Sequence, residues 1–178
     1  MPATTQTRRV YDGTLFKVDV LSWTDGQGRA IRREVVRHPG AVTVVGVTGD
    51  DHVLMIRNRR VAVDERLCEL PAGKLEPGEP PEAAAVRELA EETGYRASRV
   101  RRLGEFYTSP GFADELMHVY VAEGLEPGRQ RLEPGEDINV EPIALAAALD
   151  MVRRGEIRDG KSIAALLMYW TFVRNGPE

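Results

Sequence analysis

Hydrophobic and polar positions alternate over residues 15–23, where Phe16, Val18 and Val20 share one face, and this period of two predicts a strand. The turn-forming quartet Asp25-Gly26-Gln27-Gly28 follows. Residues 29–37 alternate again, with Ile31, Arg33, Val35 and Arg37 against Arg32, Glu34 and Val36. This hairpin stops at His38-Pro39-Gly40 and carries too few apolar groups to stand alone, so it is expected to pack on its own body or on a second subunit. Residues 1–7 are expected to be unstructured. Residues 41–48 are apolar almost throughout, which predicts a strand covered on both faces, and 53–57 returns as its partner.

Residues 82–93 favour helix, with Pro80 and Pro81 suited to a first turn and Gly94 to a left-handed stop. On that helix Val86, Leu89 and Ala90 share one side and are expected to face the core. Glu88, Glu91 and Glu92 share the opposite side, within an arc of roughly 100° that Arg87 flanks. Strands are expected over 99–106 and 115–122, around a turn-forming loop at 107–112. Residues 123–137 are polar and rich in Gly and Pro, which predicts a long mobile loop of the kind that carries function. Ile138 and Val140 suggest a short final strand, Pro142 is expected to open a helix running to about Arg154, and 162–173 is the last helix. Its Tyr169, Trp170 and Phe172 are expected in the core or a subunit interface. Strands on both sides of the acidic helix, with two helices at the end, predict an α/β fold with a mixed sheet between helices.

Composition narrows the picture. At 178 residues, 42% hydrophobic and 29% charged, the chain is one soluble domain or a domain with an arm. A net charge of −4 gives no electrostatic reason for a nucleic-acid partner. The lone Cys68 rules out an intrachain disulfide, fits a reducing compartment, and reads as a small core residue rather than a nucleophile. With no apolar leader, and a longest apolar run (163–173) too short for a bilayer, a cytoplasmic protein with no membrane association is expected. His118 lies mid-strand without a Cys or His partner at metal spacing and is read as structural. Arg57, Arg59 and Arg60 form a basic cluster that is either a solvated strand end or a contact for phosphate or nucleobase.

The chemistry is concentrated in residues 73–95, GKLEPGEPPEAAAVRELAEETGY. Carboxylates at i, i+3 and i+4 repel by a few tenths of a kcal/mol per pair, and no Lys at i+4 relieves them. A bound cation would, and hard carboxylate oxygens suit Mg²⁺ or Mn²⁺, which keep room for water and a phosphate. The bland alternative, a solvated acidic face, does not account for the Gly- and Pro-rich loop leading into the acids.

The spacing Gly-x5-Glu-x7-Arg-Glu-Leu-x-Glu-Glu-x-Gly-Tyr resembles the signature box of the Nudix hydrolases at every fixed position. Ser109-Pro110-Gly111 places Pro110 fifteen residues after Tyr95, as in the ADP-ribose pyrophosphatase branch. Glu34-Val35-Val36-Arg37-His38 and Glu69-Leu70-Pro71-Ala72-Gly73 are similar to that branch as well. The resemblance implies a Nudix-type α/β/α sandwich over 41–178 and an N-terminal β-hairpin arm over 1–40, exchanged within a homodimer. It implies hydrolysis of ADP-ribose, a small nucleotide sugar, to AMP and ribose 5-phosphate. By the same resemblance the Ala72 carbonyl with Glu88 and Glu92 binds the catalytic metal, and Glu91 assists a further ion. Glu79 pairs with Arg87, counted with the catalytic machinery. Arg33, Glu34 and Arg60 contact substrate, Glu76 and Ser109 line the pocket, and Glu136 is the general base, with Glu133 and Asp137 as substitutes. A GDP-sugar, FAD, NADH or an oxidised nucleotide as substrate, and a non-catalytic nucleotide-sugar sensor, are the alternatives.

Overall fold

The computed structural model describes residues 5–176. A three-stranded antiparallel sheet comes first, β1 (Gln6–Asp12), β2 (Lys17–Thr24) and β3 (Ala30–Arg37) in that order. The body follows with β4 (Ala41–Gly46), β5 (His52–Arg60), β6 (Glu65–Glu69) and β7 (Ala72–Lys74). Then come α1 (Pro81–Thr93), β8 (Tyr95–Tyr107), β9 (Leu116–Pro127), β10 (Ile138–Ala144), α2 (Leu145–Arg153) and α3 (Gly160–Tyr169), closed by a π-helical turn at Trp170–Arg174. One sheet runs β7-β4-β9-β8 and another β10-β5-β6. The β4–β9 pair is parallel, so the first of these is mixed, as the sequence predicts.

Why the body is layered follows from β4, buried along its whole length. Val42 and Val44 pack with Ala84, Ala85 and Leu89 of α1, while Val45 packs with Leu145, Ala148, Ala165 and Leu166 of α2 and α3. Alternate side chains thus feed two cores, which places helices on both faces. Cys68 is buried in the second core, whose apolar surroundings push its thiol pKa up, in keeping with a packing role.

Several expected boundaries move. The first four residues lie outside the described range, and Gln6 onward forms β1 rather than unstructured chain. β9 runs on to Pro127, which shortens the expected loop at 123–137 by a third, to 128–137. Pro142 does not open a helix; it sits inside β10, an edge strand that tolerates a missing N–H. Val86 is 47% exposed instead of buried, because α1 docks through Ala84, Ala85 and Leu89. Tyr169 is in the core, whereas Trp170 and Phe172 are exposed.

The arm is tied to the body along one seam. Val36 N–H donates to Phe112 O at 2.8 Å, Asp114 N–H donates to Val36 O at 3.1 Å, and Arg37 pairs with Asp114 at 2.9 Å. Behind the seam, buried Asp19 accepts from both Arg9 and Arg37.

The end of α1 also anchors the shortened loop. Gly94 adopts φ 77°, and its N–H caps Ala90 O. Gln130 reaches from the loop to Glu92 O, and Arg131 N–H donates to Glu91 O at 2.9 Å. A Cβ at position 94 would lie 2.7 Å from Gln130 N, closer than side chains tolerate. Gly94→Ala therefore combines a left-handed backbone penalty with displacement of the loop, and is expected to lower unfolding stability by about 1–3 kcal/mol. Urea unfolding checks this; a midpoint within error of the parent contradicts it.

Candidate active site

Three backbone pieces meet at the acidic face of α1: the helix itself, the 69–74 strap that leads through β7, and the 128–137 loop. Helical spacing puts Glu88 and Glu92 one turn apart on the side turned toward the strap. Ala72 N–H donates to Glu92 Oε2 at 2.8 Å, so strap and helix are fastened by a site residue. Gly73 lets the Glu88 carboxyl lie against the strap, since a Cβ there would meet that carboxyl at 2.0 Å and push it aside.

Arg87 organises the approach to the helix. Its guanidinium donates twice to Glu79, at 2.8 Å each, to Glu88 at 2.7 Å, to Glu91 at 3.2 Å and to Lys74 O at 3.2 Å. Glu79 in turn accepts from Glu76 N–H at 3.0 Å, closing the Gly/Pro-rich loop into one unit. The Arg87 fork holds the Glu79 carboxyl down to about 2, and it stays ionised at any physiological pH. The pairing of Glu79 with Arg87 that the family resemblance implies is thus present.

The two inner acids behave in the opposite way. Glu92 is 3% exposed, and burial, reinforced by the charges of Glu88 and Glu136, pushes its carboxyl up to about 8 against the Ala72 hydrogen bond. Burial raises Glu88 as well, with Arg87 opposing and Glu91 and Glu136 adding to the rise. Buried Glu92 is met by a backbone N–H rather than a cation, and half-buried Glu88 shares Arg87 with Glu79 and Glu91, so the pair is short of positive charge. Among the described residues no three His, Cys, Asp or Glu side chains are grouped to hold a metal. The donor set is instead two hard carboxylates beside the Ala72 backbone, which fits a divalent cation that keeps several water ligands.

Other expected residues fall into two groups. Glu136 lies in the loop tip, accepting from Glu133 N–H at 2.7 Å, and its charge reaches both Glu88 and Glu92. Asp137 is engaged by Arg66 instead. Arg60 is gripped by Glu69 through Nε and Nη2, at 2.7 and 2.6 Å, yet it is near enough to Glu92 for their charges to interact. Of its neighbours in the basic cluster, Arg57 pairs with Glu141 and Arg59 with Asp64. His118 sits beside Glu105 at 3.1 Å, as a structural pair. Arg33 and Glu34 are exposed on β3 of the arm, where Glu34 pairs with Arg32 at 3.2 Å. Ser109 opens the turn against which β3 is hydrogen bonded, its carbonyl accepting from Phe112 and Ala113. Glu76 is exposed in the loop before α1. The sequence gives no warning of Lys161, Ser162 and Gln130, nor of the partners of Glu69, which are brought together only by the fold.

A family model described as the NUDIX domain matches residues 37–166. The ADP-ribose pyrophosphatase of Bacillus subtilis (strain 168) is 41% identical over 160 residues, covering 89% of this chain and 86% of that protein. The GDP-mannose pyrophosphatase of Escherichia coli (strain K12) is 38% identical over 156 residues, covering 82% of this chain and 81% of that protein. A solved ADP compounds hydrolase superposes with a TM-score of 0.82 at 25% identity, covering 97% of this chain and 94% of that one.

The raised Glu92 carboxyl has a consequence for metal-free protein. Its folded pKa of about 8 lies above the unfolded value of 4.5, so its contribution is full below pH 4.5 and is lost as pH rises through 8. With chelator present, Glu92→Gln is expected to match the parent at pH 4 and to be more stable by about 2–4 kcal/mol at pH 9. Urea unfolding at both pH values checks it; parallel pH profiles for the two proteins contradict it.

Proposed function

The chain belongs to the NUDIX family, and from that membership we propose that it is a divalent-metal-dependent hydrolase of nucleoside diphosphate sugars, with ADP-ribose as preferred substrate and AMP and ribose 5-phosphate as products. The observation that carries the reading is the carboxylate pair of half-buried Glu88 and buried Glu92, the latter fastened to the Ala72 strap, with the charge of Glu136 reaching both. Relatives named for ADP-ribose and GDP-mannose support the substrate class.

In this reading Glu88, Glu92 and the Ala72 carbonyl hold the first Mg²⁺ or Mn²⁺, and Glu91 assists a further ion. When bound, such ions neutralise diphosphate oxygens and lower the pKa of an attacking water. Arg87 keeps Glu88 and Glu91 oriented and, through Glu79, holds the loop that carries Glu76 against the helix. Glu136 accepts the proton as water oxygen bonds to one phosphorus and the bridging P–O bond breaks. Its loop is anchored at Gln130 and Arg131, and movement of the tip beyond that anchor brings the carboxylate in once substrate is seated. Arg60, with Arg33 and Glu34 from the arm, contacts adenosine or diphosphate, and Ser109 lines the pocket.

We further propose that residues 1–40 are an arm on a 41–178 hydrolase domain and that arms are exchanged in a homodimer. Val10, Tyr11, Leu15 and Phe16 are exposed apolar groups on the arm, and their burial by a second copy accounts for them. No helix among the described residues is long and apolar enough to cross a membrane, in keeping with a proposed cytoplasmic setting.

The deciding experiment is AMP release from ADP-ribose, beside GDP-mannose, FAD, NADH and an oxidised dNTP, with and without Mg²⁺ or Mn²⁺. Metal-dependent turnover highest on ADP-ribose is expected, with Glu136→Gln lowering kcat by about 10²–10⁴-fold at little change in KM. Preference for another substrate moves the specificity, and ADP-ribose binding without turnover of any substrate contradicts an enzyme.

A further inference from the structure

Among the buried acids away from the candidate metal carboxylates, one lies on the strap that leads into the site. Glu69 opens the strap that carries Ala72, and it is 0% exposed. Two cations share it: Arg60, in a two-point fork from β5, and Lys161, from the first turn of α3. Lys161 also pairs with Asp159 at 2.8 Å. Asp159 caps α3 by accepting from Ser162 N–H at 3.0 Å and also accepts from the Ser162 hydroxyl. Ser162 Oγ accepts from Leu70 N–H at 2.7 Å. The start of α3 therefore grips both Glu69 and the residue after it.

The two cations are not equivalent. Lys161 is held from two sides, and its side chain is 12% exposed. The Arg60 side chain is 41% exposed and lies within Coulombic reach of Glu92, so its guanidinium sits at the edge of the site. A buried carboxylate cannot lose its only counter-ion without a large penalty, but it can lose one of two. Arg60 is thus the cation that can be given up.

We propose that Lys161 is a positioning residue: by holding Glu69 alone, it lets Arg60 leave that carboxylate for the diphosphate of the substrate. This rests on the assignment of Arg60 as a substrate contact. Glu69 then acts as a reversible latch that keeps Arg60 extended near the site until an anion competes for it. Exchange of one anion for another leaves the charge of the region balanced, and a guanidinium fork fits phosphate as well as carboxylate.

The test is a rescue experiment in the full-length protein. Lys161→Met removes the second cation at similar volume and should lock Arg60 on Glu69. KM for ADP-ribose should rise by about tenfold with kcat within about threefold of the parent. Lys161→Arg should retain most of the parent KM. Adding Glu69→Gln to Lys161→Met should restore KM, because a neutral amide no longer holds Arg60; a purely structural role would make the double variant as poor or worse. An unchanged KM in Lys161→Met, or no rescue, overturns the proposal. Should Lys161→Met not fold, Glu69→Gln alone decides: KM at or below the parent value supports the latch, and a raised KM overturns it. ADP binding by calorimetry repeats the comparison without turnover. Weakened ADP binding in Lys161→Met, rescued by Glu69→Gln, supports the latch even where ADP-ribose is not hydrolysed, which would refute only the substrate reading. ADP bound equally by all variants, or by none, overturns the latch.

Discussion

Burial of the Glu92 carboxylate is the constraint on which the rest of the site depends. A charge enclosed by protein with one backbone N–H for company is unfavourable unless something supplies positive charge. The fold keeps it there nonetheless, because α1 is fixed on the sheet by Ala84, Ala85 and Leu89 and its final turn by Gly94. Glu88 shares the predicament one turn away, packed over Gly73 with only Arg87, itself shared with Glu79 and Glu91, to offset its charge. Without a metal the pKa of both carboxyls is raised; a divalent cation would answer the problem better, since it would leave both ionised.

Around this pair the strap at 69–72 acts as the rigid reference. Glu69 is held by two cations, Leu70 N–H by Ser162, Pro71 O by Val44 N–H and the Thr43 hydroxyl, and Ala72 N–H by Glu92. Four consecutive residues are thus fixed from β5, α3, β4 and α1, which is how elements far apart in sequence come to set one carbonyl position. The loop before α1 is fixed with similar economy, since the single Arg87 guanidinium spans Lys74, Glu79, Glu88 and Glu91. By contrast the Glu136 loop is anchored at its root and polar at its tip, a division that suits a base arriving after substrate.

What the sequence discloses and what it withholds divide along physical lines. The acid face of α1 and its Gly94 stop are legible because helical geometry converts spacing into neighbourhood over a few residues, whereas the Glu79–Arg87 pair, which starts outside the helix, is implied only by the family resemblance. The buried strand at 41–46 is legible from its unbroken apolar run. β1 is not, because all seven of its residues are exposed and carry no alternation. Val86 is misplaced by the wheel because α1 contacts the sheet mainly through small Ala84 and Ala85, which brings the helix close and turns Val86 outward. Pro142 misleads because a proline tolerated on an edge strand looks the same in sequence as one opening a helix. The Arg60–Glu69–Lys161 triad spans more than 90 residues, and no local pattern encodes an ion pair of that separation.

The central claim is that Glu88 and Glu92 are built to hold a cation, and Mn²⁺ binding followed by calorimetry tests it most directly. The parent should bind Mn²⁺ with proton release near neutral pH, and Glu92→Gln, which keeps the Ala72 hydrogen bond but not the charge, should weaken binding by at least about tenfold. Equal Mn²⁺ affinity in the two proteins would contradict the account.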